Sequence, residues 1–175
     1  LKNFSTKGDW QVQKDGVLAL TPRPGDDKGW KRWTSYLWAK KQYSDFVCDF
    51  EYKHEKGGNS GFYFRASQKD NAFVHGLEIQ ILDSYGKKNI NHHDCGGLIT
   101  VRPAKINMAK PAGQWNHMVV RCVGNHLQVH HNGIKIQDLQ LNETKLKDRP
   151  KKGYLGIQEH GYKLWVRNLK ILEIK

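Results

Sequence analysis

The sequence predicts an all-β chain folded as one antiparallel β-sandwich. Three observations carry this. Short runs alternate apolar and polar residues, turn signals recur about every ten residues, and no segment of useful length has helical periodicity. The 175 residues are enough for one domain with a real core. With no repeat and no composition break, a single domain over residues 1–175 is expected.

In order, residues 9–13 and 17–20 flank Asp15-Gly16 and read as a hairpin. Residues 21–27 contain Pro22 and Pro24, which remove backbone donors and disfavour helix before them, so a loop is expected. Residues 36–39 form a short strand candidate. Residues 43–54 read as a long strand with Phe46, Cys48, Phe50 and Tyr52 on its core face. A glycine-rich turn over 56–61 leads to a strand at 62–65, where Phe62 and Phe64 face the core and Tyr63 and Arg65 the other side. The stretch 74–83 alternates most strictly: Leu77, Ile79 and Ile81 on one face, Glu78 and Gln80 on the other. A polar loop follows over 84–94. Strands are expected at 117–123, 127–131 and 134–139, the last two joined by Asn132-Gly133. A weak helical signal lies at 143–147, and further strands at 154–160, 164–168 and 169–174.

Lys and Arg number 29 against 17 Asp and Glu, a formal charge of +12. These charges are interleaved along the chain, densest over 145–152, and no nucleic-acid-binding signature accompanies them, so no nucleic-acid partner is expected. Solubility or attraction to anionic glycans or membranes accounts for the excess equally well. No apolar run is long enough to span a bilayer. The start at Leu1, without Met, reads as a processed N-terminus. Cys48 and Cys122 sit in strand-like runs as buried hydrophobes, whereas Cys95, in a polar loop, is expected to be accessible.

Glu78 and Gln80 on a rigid strand suit a polyhydroxylated ligand, since a carboxylate accepts and a carboxamide both donates and accepts. As ordinary solvent-facing residues of a sheet they would need no ligand at all. Asn59, Tyr63, Arg65 and Asp83 fall near them on neighbouring strands and complete a sugar-sized polar patch. His160, two residues after Gln158, is a loop-edge imidazole suited to acid–base work near neutral pH. His92-His93-Asp94 invites a divalent-metal reading, although adjacent histidines on extended backbone point apart. No cofactor is otherwise implied. GxSxG, HExxH, GxxxxGK[ST] and GxGxxG are absent, which argues against the corresponding hydrolases, zincins, P-loop enzymes and dehydrogenases.

Several segments together resemble the 3-keto-disaccharide hydrolase family, and they run in order over almost the whole chain. They are Leu37-Trp38 with Tyr43-Ser44-Asp45-Phe46, Gly57 to Arg65, Gly76 to Asp83, Lys110 to Asn116, His131-Asn132-Gly133, Gly156 to Gly161, and Trp165 to Leu169. The resemblance implies a concanavalin A-like glucanase/lectin sandwich (a jelly roll), a carbohydrate partner, and export to the periplasm or exterior of a bacterium. It also implies a glycoside whose C3 hydroxyl has become a ketone. That ketone acidifies the C2 proton, so a base removes it and the C1 oxygen departs, with water adding back. On this reading Glu78 and His160 are the catalytic pair. Arg65 and Gln80 hold the ketone oxygen, and Asn59, Tyr63, Asp83 and Gln158 bind substrate. The alternative is a non-catalytic sugar-binding module on the same fold. The His pair and Cys95 depart from the family's small-residue loop. The sequence assigns no oligomeric state.

Overall fold

A computed structural model describes residues 1–23, 25 and 28–175; Pro24, Asp26 and Asp27 of the expected loop lie outside the described residues. The strands are β1 (Phe4–Ser5), β2 (Trp10–Val12), β3 (Leu18–Leu20), β4 (Leu37–Tyr43), β5 (Phe46–His54), β6 (Asn59–Ala66), β7 (Leu77–Leu82), β8 (Asn116–Val123), β9 (His126–His131), β10 (Ile134–Gln140), β11 (Gly153–Ile157) and β12 (Leu164–Glu173). One short helix, α1 (Ala72–His75), precedes β7. The strands form two antiparallel sheets, a five-stranded one ordered β1-β4-β11-β6-β7 and a seven-stranded one ordered β10-β9-β8-β5-β12-β3-β2. This is the expected all-β sandwich. No helix among the described residues is long and apolar enough to cross a membrane.

Period-2 alternation builds the core. Phe46, Cys48, Phe50 and Tyr52 are fully buried on β5, and across from them lie Phe62 and Phe64 of β6 and Leu77, Ile79 and Ile81 of β7. The sheets meet through rings, with Phe50 and Phe62 centroids 5.4 Å apart. The Asn132-Gly133 turn joins β9 to β10 with φ of 49° and 85°, the two positive values that suit a tight hairpin.

Several sequence expectations are corrected. The strand expected over 43–54 is two: Tyr43 ends β4 in one sheet and Phe46 begins β5 in the other, with Ser44 and Asp45 turning the chain between them. Val74 and His75, read as strand, belong to α1. The weak helix at 143–147 is instead a 3-10 turn over Leu141–Glu143 followed by further turns. The pieces at 164–168 and 169–174 are one strand, bent where Asn168 has φ of 53° and the register with β5 slips. Cys95 is buried, not accessible: its sulfur lies 3.1 Å from the Tyr52 hydroxyl beneath the loop.

Arg65 is the most instructive difference. Between Tyr63 and Ala66, β6 has one residue more than its partner β11, and Arg65 takes the left-handed region at φ 50°. This bulge puts Tyr63 and Ala66 on one face and turns Arg65 away from it. The buried guanidinium donates to the Ser44 and Gly124 carbonyls at 2.7 and 2.8 Å and to the Asp45 carboxylate at 3.0 Å, clamping two interstrand turns. Removing one partner of such a buried set strands the others, at a cost of about 3 kcal/mol or more. Thermal denaturation of Arg65→Met is therefore expected to show a melting temperature lower by roughly 5–10 °C, with sugar binding unchanged below the transition. Lost binding with unchanged stability would return Arg65 to the site.

Candidate functional site

The face of the five-stranded sheet turned away from the core carries a second set of packed rings, Tyr36, Trp38 and Tyr63. Beside them β6 and β7 run antiparallel, with Tyr63 opposite Glu78, Gly61 opposite Gln80 and Asn59 opposite Leu82. Both polar β7 side chains lean toward the next pair along. Gln80 Nε2 donates to Asn59 Oδ1 at 3.0 Å, and the Glu78 carboxylate lies over Gly61. Any Cβ at position 61 would collide with that carboxylate, so glycine here makes room for the acid. Gln158 continues β11 alongside β6: its backbone N–H donates to the Gly61 carbonyl and its own carbonyl accepts from Ser60 Oγ, each at 2.8 Å. Two residues on, His160 Nε2 accepts a long 3.5 Å contact from Asn59 Nδ2.

These groups floor a cleft of about 270 Å³, comprising Asn59, Tyr63, Glu78, Gln80 and Gln158 from the sheet and Trp30, Phe73, His93, Ile99 and His160 from surrounding segments. The volume suits one sugar ring with part of a second group. Three devices hold the rim. Gly29 N–H donates to the His160 carbonyl, which ties the Trp30 loop to the end of β11. The Tyr36 hydroxyl donates to the Trp30 carbonyl at 2.6 Å while accepting from Gln158 Nε2 at 2.8 Å. Residues 96–99 bond to the outer edge of β7 through the backbones of Glu78 and Gln80, which covers that edge and seats Ile99 and His93 over the acid.

The consequence is a carboxyl group outside the core yet cut off from bulk water. Glu78 is 8% exposed, and desolvation pushes its pKa from 4.5 to about 7; the neighbouring Tyr63 hydroxyl offsets part of this without reaching good hydrogen-bond geometry. Burial, assisted by the Glu78 charge, raises Tyr63 far above the usual phenol range, so it remains an O–H donor. Burial lowers His160, which is neutral near pH 7 with Nε2 facing Asn59, and its Nδ1 is buried with no hydrogen-bond partner among the described residues.

Of the predicted residues, the structure brings together Asn59, Tyr63, Glu78, Gln80, Gln158 and His160. Arg65 and Asp83 stand apart. Asp83 accepts from the Gly57 N–H at 2.8 Å and closes the β5–β6 turn, which the antiparallel pairing of β6 with β7 brings beside the end of β7. Trp30, Phe73 and Ile99 escaped sequence reasoning because they reach the cleft from loops and α1; the Trp-rich run 30–33 was the available hint. The His92 and His93 rings pack tilted against each other with centroids 4.2 Å apart, and only His93 lines the cleft. Asp94 is buried and bound by Lys87 at 2.8 Å and by the Asn91 N–H at 2.7 Å. Among the described residues no group of three His, Cys, Asp or Glu side chains is placed to hold a metal ion.

Comparison with known proteins agrees with this architecture. The profile of the 3-keto-alpha-glucoside-1,2-lyase-like domain family matches residues 1–172. A 3-keto-disaccharide hydrolase of Bacteroides thetaiotaomicron is 25% identical, aligned over 93% of this chain and 69% of its own. A crystal structure from Parabacteroides distasonis, provisionally assigned as a glycosyl hydrolase, superposes with a TM-score of 0.80 at 26% identity, covering 94% of this chain and 90% of that one. The carbohydrate-binding module CBM66 of Bacillus subtilis shares the fold, with a TM-score of 0.65 at 14% identity over 97% of this chain and 94% of its own.

Burial of Glu78 has a stability signature. The folded state holds the proton more tightly than the unfolded chain, so stability is highest below about pH 4.5 and falls as pH rises through about 7. At about 1.4 kcal/mol per pH unit this amounts to ~3 kcal/mol. Glu78→Gln, isosteric and uncharged, is expected to be more stable than the parent by up to ~3 kcal/mol above pH 7, with the difference closing toward pH 4.5. Urea titrations across that range check it; a pH-independent difference would contradict burial as the cause.

Proposed function

We propose that this chain, which belongs to the 3-keto-alpha-glucoside-1,2-lyase-like domain family, cleaves glycosides whose C3 carbon carries a ketone. The observation that carries the reading is a buried carboxyl group with a pKa near 7, beside a protonated phenol, on the floor of a sugar-sized cleft. An acid–base group works best with its pKa near the operating pH. A family match and a glycosyl hydrolase likeness at 26% identity support a glycosidase-like activity.

In this reading Glu78 takes the proton from C2, the electron pair moves into the C2–C3 bond, and the C3 oxygen becomes an enolate. Tyr63 O–H donates to that oxygen, since its hydroxyl is buried, protonated and without a good partner. The enolate re-forms the ketone as the C1–O bond breaks, and the leaving oxygen receives the proton that Glu78 collected. The product at this point is a ketone unsaturated between C1 and C2. Water then adds at C1, and its proton passes by way of the neutral His160 to C2, so His160 ends neutral and the sum is hydrolysis. Gln80 and Asn59, fixed by their mutual hydrogen bond, and Gln158, fixed by Tyr36, present amide groups to ring hydroxyls. Trp30 and Phe73 offer apolar surface to the ring faces. The bacterial origin of the relatives fits the exported setting that the family resemblance implies.

Release of a chromogenic alcohol from a 3-keto-glucoside, compared with the unoxidised glucoside, tests this. Release is expected from the keto substrate alone, with kcat/KM rising through about pH 7 as Glu78 deprotonates. Glu78→Gln should lower it by about 100-fold or more, and His160→Ala should let the unsaturated ketone accumulate. Binding without release from either glucoside would replace the enzyme with a carbohydrate-binding module.

A further inference from the structure

A narrow recess of about 10 Å³ shares Tyr63, Phe73, Glu78 and Ile99 with the cleft and is lined as well by Leu146 and Arg149. The recess admits no sugar ring, only the end of a substituent, on the scale of one water or one carboxylate oxygen. Arg149 is half-buried, and burial lowers its pKa from the usual arginine value. Its guanidinium makes no hydrogen bond, ion pair or ring contact with any other side chain among the described residues. Glu78 apart, which has no charged partner, other buried or half-buried charges nearby are matched. Asp94 is held by Lys87, Glu159 by Arg32 at 2.7 Å, and Arg65 by Asp45. An arginine drawn partly out of water with nothing to pair with is costly unless a ligand supplies the anion.

The surroundings strengthen the case. Lys145 lies near enough to His92 that its charge, after burial and after His93, helps depress that imidazole. His93 lines the cleft itself. Residues 145–149 carry Lys145, Lys147 and Arg149 against one acid, Asp148, and residues 92–93 add two imidazoles. The one carboxyl group on the cleft floor, Glu78, is only about half ionised at neutral pH. The chain's net charge of +12 adds a long-range field of the same sign.

We infer that the cleft is built for an acidic glycoside, and that Arg149 receives an exocyclic carboxylate of the substrate as the residue that selects it. This rests on the glycoside reading above, and it adds the charge class of the substrate. The carboxylate has two chemical sources: C6 of the ring that faces Glu78, as in a uronide, or the departing partner, as in an aldonate. The anion fits a planar guanidinium fork better than a lysine ammonium.

Calorimetric binding to the full chain distinguishes these. The probes are methyl glucoside against methyl glucuronide, and maltose and cellobiose against maltobionate and cellobionate. One acidic series is expected to bind at least about tenfold more tightly than its neutral parent, the magnitude of one charge-assisted contact. The series that does so names the source. Arg149→Met should abolish the preference without weakening the neutral sugar, and Arg149→Lys should restore it only in part. Equal binding of acidic and neutral sugars, absence of binding by all of them, or a preference that survives in Arg149→Met overturns the inference. Turnover of the 3-keto forms of the same sugars is read separately, so a failure of the reaction and a failure of the charge preference are distinct results.

Discussion

The site depends on one constraint, a carboxyl group packed over a glycine on the side of a sheet that normally meets water. Glu78 leans across Gly61, and its carboxylate occupies space that a Cβ at position 61 would fill. Around it the Trp30 loop, α1 and the 96–99 segment close off solvent, so the pKa rises to about 7 by desolvation, with no charged neighbour setting it. The same packing that destabilises the ionised acid supplies a base that is ready near neutral pH. Stability given up locally in return for chemistry is a common arrangement at catalytic sites.

The aromatic layer beneath has a related task. Tyr36, Trp38 and Tyr63 pack on the outer face, with Trp38 resting on Gly156. Through its hydroxyl Tyr36 joins the Trp30 carbonyl to Gln158, so one ring fixes both a rim loop and a floor residue. Such double attachment keeps a site rigid without a disulfide; the three cysteines are all free and buried.

Much of this was legible in the sequence, for a physical reason. Alternation in 77–82 and 46–52 reports a sheet with one face in a core, and that fixes which residues share a face. Asn59, Glu78, Gln80, Gln158 and His160 came together because local period and strand adjacency place them. The failures have separate physical causes. Arg65 was misplaced by a bulge that shifts the period by one, and a single φ near 50° has no signature in an arginine. Asp83 was misread because it bonds the β5–β6 turn, which strand pairing sets beside it although it is distant in sequence. Cys95 was misread because a polar loop folded back on β7 buries it, and long-range covering does not show in local composition. Trp30 and Arg149 come from loops, and Phe73 from the short helix α1, whose positions are set by tertiary contacts.

Burial alone holds the Glu78 carboxyl near neutrality. Carboxyl-region difference infrared or carbon-13 spectroscopy of the folded protein titrated with pH, with Glu78→Gln as the reference, reads that group directly. The account predicts one carboxyl signal, absent from the variant, with a midpoint near pH 7. A midpoint near 4.5 would show that water reaches Glu78 and would contradict the account.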